Sequence, residues 1–161
     1  KKLYNNRMDS IDRQILDTLQ KDSSIPLSEL AKKVGLSSTP CWNRIKKLEE
    51  NKVIKSRTVV LDNKKVNLPI TVFLSISIPN HTEVWLKKFQ QVMNKHDEII
   101  EVHRLTGSNS DYQLTILSPS IEEYDNFQQY LIKEIECTNM TSRISLSTIK
   151  KSNKISLDYI S

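Results

Sequence analysis

Between residues 37 and 57 the chain gathers Ser38, Thr39, Trp42, Asn43, Arg44, Lys46, Lys47, Lys55 and Arg57. These types suit contact with a nucleic-acid duplex. An asparagine can form a bidentate pair with adenine, and a cation can pair with guanine. Lysine and arginine also meet phosphates, which set affinity and position more than sequence preference. Ser38 and Thr39 open a helical pattern, where free first-turn amides favour an anion. Trp42 has two readings: it touches a base, or it packs against a second domain or a partner. A three-helix bundle with a solvated basic face would show a similar pattern.

Other chemistries find little footing. His81, His96 and His103 are the only histidines, and they form neither HxxxH nor a compact arrangement with Ser and Asp. Glu122 and Glu123 occupy adjacent helix positions, which do not face one site. Cys41 and Cys137 lack CxxC spacing, so neither a zinc site nor a disulfide scaffold is expected, and two isolated thiols suit a reducing cytosol. No enzyme activity, cofactor or metal is expected. No apolar run approaches the length of a transmembrane helix, and the basic start "KKLYNNRMDS" precedes no signal-like apolar region. A cytoplasmic protein is expected, with Met8 a candidate natural start.

Charge separates the chain into two parts. Residues 1–65 hold 15 Lys/Arg and 8 Asp/Glu, whereas residues 66–161 hold 9 and 11. The basic first part is the candidate for a polyanion partner.

The elements that position these residues follow from periodicity. Asp9 or Ser10 caps a helix carrying Ile11, Ile15, Leu16 and Leu19 at helical spacing. Leu27, Leu30, Ala31 and Val34 mark a short second helix, ended by Gly35. Ser37 caps a third, with Cys41, Ile45 and Leu48 inward. Residues 53–61 read as two short strands around a basic turn, a wing. The first domain is thus 8–61, a winged helix-turn-helix, and 62–69 is a linker. From residue 70 the order is strand, helix, strand, strand, helix, strand, with either His81 or Thr82 capping the first helix and either Ser118 or Ser120 the second. "ISLDYI" near the end reads as a further strand. The fold class is therefore α+β, with a ferredoxin-like βαββαβ sandwich over 70–161. Its sheet has one face without helices, which predicts a dimer.

The motif "MDSIDRQILDTLQKDSSIPLSELAKKVGLSSTPCWNRIKKLEENKVI" resembles the Lrp/AsnC family of transcription regulators. Asp9, Asp12, Ile15, Leu16, Leu30, Ala31, Val34, Gly35, Leu36, Ser37, Arg44, Leu48, Glu49 and Ile54 fall at the family's positions. A glycine usual before the wing is replaced here by Asn51-Lys52, and Asn tolerates left-handed geometry. The resemblance implies a sequence-specific regulator that binds double-stranded DNA and answers to an amino acid or related small molecule. It also implies homodimers assembling to tetramers or octamers, without a membrane partner. An architectural DNA-binding protein with weak sequence selectivity and no ligand is the alternative. The family's effector loop corresponds to Thr106, Gly107, Ser108, Asn109, Ser110 and Asp111, with the aspartate one residue late. Loop amides there would hold a carboxylate and Asp111 an ammonium, while Gly107 lets the backbone approach. The same residues would also make an ordinary hairpin turn.

Overall fold

A computed structural model describes residues 8–107 and 110–160. Three helices come first: α1 (Ser10–Lys21), α2 (Leu27–Lys33) and α3 (Ser38–Glu50). Asp9, not Ser10, caps α1. Its carboxylate accepts the Asp12 N–H at 2.9 Å, and the Asp12 carboxylate accepts the Asp9 N–H at 3.3 Å, so two orphan first-turn donors are satisfied reciprocally.

α2 and α3 end alike. Gly35 has φ +72°, Leu36 N–H donates to Ala31 O at 2.9 Å and Gly35 N–H to Lys32 O at 3.3 Å. At the end of α3, Lys52 has φ +59°, Val53 N–H donates to Leu48 O at 2.9 Å and Lys52 N–H to Glu49 O at 3.0 Å. Both are left-handed caps closed by paired 6→1 and 5→2 bonds. The left-handed residue after α3 is therefore Lys52; Asn51 stays at φ −76°. The core of this unit joins Ile15, Leu16, Leu30, Ala31, Val34, Cys41, Ile45 and Leu48, all buried.

The wing is not formed. Residues 53–61 build no strand, and Val59, Val60 and Leu61 are 80%, 60% and 65% exposed. A two-stranded hairpin is marginal alone. Here the turn between the halves, Lys55-Ser56-Arg57, offers three side-chain-bearing residues and no glycine or asparagine to adopt positive φ.

The second unit contains β1 (Ile70–Ser77), α4 (Glu83–Lys95), β2 (Ile99–Arg104), β3 (Tyr112–Ser118), α5 (Ile121–Glu134) and β4 (Asn139–Ile144). The four strands form one antiparallel sheet in the order β2-β3-β1-β4, as expected of the split βαβ arrangement. Thr82 caps α4, accepting from Trp85 N–H at 3.2 Å, and Ser120 caps α5, accepting from Glu123 N–H at 3.0 Å. Alternation decides the faces. Val72, Leu74 and Ile76, with Leu114 and Ile116, are buried against Phe89, Val92 and Met93 of α4 and Tyr124 and Leu131 of α5. Leu86, three residues before Phe89 on α4, is by contrast 37% exposed.

The opposite face carries Phe73, Ser75, Gln113, Thr115, Thr141 and Arg143. With Leu117 beside Thr71, and Glu101 and His103 contributed by β2, it is a mixed polar, charged and apolar face.

The described chain divides into two compact units, residues 8–59 with 150–160, and residues 60–149. The end of the chain thus departs from a second domain of 70–161. "ISLDYI" is not a strand. Its hydrogen-bond partners lie on α1, and Leu157 packs against the helical core.

Candidate nucleic-acid interface and effector loop

The stripe Cys41, Ile45, Leu48 turns inward, so the rest of α3 faces out. Ser38, Thr39, Trp42, Asn43, Lys46 and Lys47 are all exposed there. Ser37 holds the N-cap position without a side-chain hydrogen bond, and Pro40 in the first turn has no N–H to satisfy. Trp42 is 49% exposed, and the Lys46 ammonium stands 5.7 Å from its ring centroid, within cation–π range.

The cations divide by partner. Lys46 lies 3.4 Å and Arg57 3.2 Å from the Glu49 carboxylate. Such exposed pairs are weak, so both heads remain able to exchange Glu49 for a phosphate. Lys55 is exposed in the irregular segment that replaces the wing.

Arg44 is different. Expected on phosphates, it turns back to α1, with one guanidinium nitrogen 2.7 Å from Asp9 Oδ2 and 2.8 Å from Asp12 Oδ1. The hydrogen bonds it donates to the Asp12 and Asp9 carboxylates raise its pKa further. The Asp9 carboxyl is held below the usual aspartate range by the Asp12 N–H and then by Arg44. The side chain belongs to a charge clasp joining α3 to the capping box of α1. Sequence spacing within α3 gave no sign of this, because the acceptors lie 35 and 32 residues away.

In the second unit, Ser108 and Asn109 lie outside the described residues. Thr106 is exposed, Gly107 takes φ +130° and Ser110 is half-buried. Asp111 is anchored on all sides. Its N–H donates to Ile76 O at 2.8 Å and its carbonyl accepts Leu105 N–H at 2.8 Å. Carboxylate Oδ2 accepts Ile78 N–H at 2.8 Å, and Oδ1 stands 3.2 Å from His81 Nε2. Because Thr82 caps α4, His81 is left to meet this carboxylate. Sequence reading missed His81, for which only a capping role was visible.

The loop's flanking residues, Arg104 and Tyr112, are paired across β2 and β3. They also line a cavity of about 390 Å³ with Leu86, Phe89, Met93 and Val102. Two of these rings join an aromatic cluster: Trp85 stacks on Phe89 at a centroid distance of 4.7 Å, and Tyr112 meets Phe89 tilted at 4.7 Å. Among the described residues no helix is long and apolar enough to cross a membrane.

Comparison with known proteins agrees with this architecture. Residues 8–49 match the AsnC-type helix-turn-helix domain, and residues 71–155 match the Lrp/AsnC ligand binding domain. The glutamate uptake regulatory protein of Zymomonas mobilis is 39% identical over 151 residues, covering 94% of this chain and 92% of that protein. An AsnC family transcriptional regulator from Agrobacterium tumefaciens superposes with a TM-score of 0.89 at 44% identity, covering 95% of this chain and 99% of that one. A transcriptional regulator from Neisseria meningitidis, solved as its L-Met complex, gives 0.88 at 26% identity, covering 94% and 97%. The two matched domains, in this order and over these lengths, place the chain in the Lrp/AsnC family of transcription regulators.

Proposed function

We propose that α3 reads duplex DNA through Ser38, Thr39, Trp42, Asn43, Lys46 and Lys47, with Lys55 and Arg57 on flanking phosphates. The carrying observation is the division of α3 itself: its apolar stripe is buried and its polar, cationic face is bare. A helix of this kind enters the major groove with its N-terminal residues toward base edges. Arg44 is left out of the contact set, since its guanidinium is engaged within the unit.

The sheet unit is read as an amino-acid sensor. The cavity that Arg104 and Tyr112 line beside the loop offers an apolar wall and the Arg104 guanidinium, which suits a carboxylate. That a related regulator is solved with L-Met supports the ligand class. The ligand acts by binding two states of the protein unequally. Large exposed apolar side chains, among them Val59, Leu146 and Ile149, support assembly with further copies, first as a dimer and then as a tetramer or octamer. A two-fold dimer places its reading helices on successive major grooves of a pseudo-palindrome. The place of action is the cytoplasm, where the DNA is.

The test is the salt dependence of binding to a duplex selected from random sequence. Replacing Lys46 and Lys47 by Ala lowers the slope of log K against log salt by about one unit for each phosphate that is no longer neutralised. A slope that stays at the parent value removes both lysines from the DNA backbone.

A further inference from the structure

The chain leaves the helical unit at Val59 and re-enters it at Lys150. What returns is a short polar segment, "KSNKISLDYI", whose contacts with α1 are specific. Arg13, Asp17 and Gln20 lie at i, i+4 and i+7, so they share one stripe of that helix. Each holds a different part of the segment. The Gln20 carboxamide accepts Ile155 N–H at 2.7 Å and donates to Ile155 O at 3.2 Å, as a neighbouring strand would. Asp17 stands 2.7 Å from the Lys154 ammonium. The Arg13 guanidinium donates to Ile160 O. Leu157 inserts between these points against the core of the three helices.

The order of the contacts shows the direction. Residue 155 meets the C-terminal part of α1 and residue 160 its N-terminal part, so the segment runs antiparallel to the helix. A turn closed by Ile160 N–H on Leu157 O at 3.3 Å, and Ser156 Oγ on Asp158 at 2.8 Å, shapes its end. Two hydrogen bonds to the backbone of one residue, Ile155, fix the register, and one apolar side chain supplies the burial. A casual surface contact would show neither.

We propose that residues 150–160 are a strap that positions the reading helix: the strap holds α1, and α1, through Asp9 and Asp12, holds Arg44 of α3. This rests on the reading of α3 as the DNA-contacting helix. Gln20, Asp17 and Leu157 are then positioning residues for DNA binding, remote from the DNA itself. The strap matters because the helical core is small. Where burial is limited, a few added contacts change the opening equilibrium of an element strongly.

Two variants of the full chain test the strap: Leu157→Asp, which removes the apolar anchor, and Gln20→Ala, which removes the register contacts and leaves the core intact. The readouts are amide exchange over Ser10–Lys21 and equilibrium binding to duplex DNA at several salt concentrations. Exchange over α1 quickens in both, about tenfold for Leu157→Asp, because local opening no longer has to break the anchor. DNA affinity falls in parallel at an unchanged salt slope, since the same phosphates are still neutralised. Unchanged exchange over α1 overturns the strap. A reduced slope also overturns it, because Lys150, Lys151 or Lys154 would then be touching phosphate directly. If Leu157→Asp unfolds the helical unit outright, Gln20→Ala decides. If the parent chain binds no duplex even in dilute salt, it is the DNA reading that fails, and the exchange measurement still decides the strap.

Discussion

The helical unit and the sheet unit solve the same problem with different means. The sheet unit buries thirteen apolar or aromatic residues in one cluster, the helical unit eight. The larger cluster carries its own polar ties, Trp85 Nε1 on Glu136 O at 2.7 Å, Tyr124 against Ser142 at 2.6 Å and the Asp111 carboxylate on Ile78 N–H at 2.8 Å, but no Lys or Arg ion pair among the described residues. The smaller one adds a guanidinium clasp, a capping box and a returning strap. A unit with less apolar surface to bury leans more on charge and on hydrogen bonds to hold its parts. The consequence is that solution conditions bear on the two units unequally, and the DNA-contacting one is the more sensitive.

The largest effect breaks the comparison from the sheet side. Leu74 is fully buried in the central strand, opposite Leu114 and Ser142. Leu74→Ala leaves a cavity there and costs about 2–5 kcal/mol. Differential scanning calorimetry should show the sheet unit's transition displaced to lower temperature and the helical unit's transition in place. Equal displacement of both would mean that the units melt as one.

A smaller effect probes the helical side. Arg44→Ala removes the clasp and leaves Asp9 and Asp12 without their cation. About two-thirds of the Arg44 side chain is covered, so the loss is about 1–2 kcal/mol, after allowance for solvent screening. Acid should act on the same unit. Asp9 is depressed by the Asp12 N–H and by Arg44, Asp17 by Lys154 and then Lys21, and Asp22 by Ser24. A carboxylate whose folded pKa is lowered contributes stability that is present above its unfolded pKa. That contribution disappears as the pH falls through the folded value. The helical unit's melting temperature is thus expected to hold steady above the usual aspartate range and to fall below it. In Arg44→Ala the decline should be shallower, because Asp9 keeps only the backbone part of its shift. An equally steep decline in the variant would remove Arg44 from the linkage.

Periodicity was enough to find the helices and strands, because each buries a stripe or a face whose spacing is written in consecutive residues. Cys41, Ile45 and Leu48 point inward as their spacing requires, and so do Val72, Leu74 and Ile76. What escaped were the features made by distant parts of the chain. Arg44 read as a phosphate ligand because its neighbours are basic, yet its partners come from the start of α1. The strap's Ile155, Leu157 and Tyr159 alternate with Ser156 and Asp158 and so read as a strand, yet only Leu157 meets a core, and the segment's partners are the distant side chains of α1. The wing failed for the opposite reason. Val59, Val60 and Leu61 have strand propensity, but that propensity describes fit to a half-buried surface, and here nothing covers them. In the candidate effector loop, Gly107 was identifiable as a turn former, whereas the Asp111 contact with His81 depends on which residue caps α4.

The smallest effect sharpens the comparison within the helical unit. The caps after α2 and α3 are the same motif on different residues, Gly35 at φ +72° and Lys52 at φ +59°. A left-handed backbone costs a side-chain-bearing residue about 1–2 kcal/mol, and glycine escapes this while losing more backbone entropy on folding. Lys52→Gly should therefore stabilise the helical unit by about 0.5–1 kcal/mol. Gly35→Ala should destabilise it by about 1 kcal/mol, even though nothing lies within 4 Å of the added Cβ. Denaturant midpoints followed through Trp42, in a Trp85→Phe background, read this unit alone. Opposite signs at the two positions would show that the backbone angle sets the cost. A loss at both would mean that the Lys52 side chain contributes more than its conformation takes away.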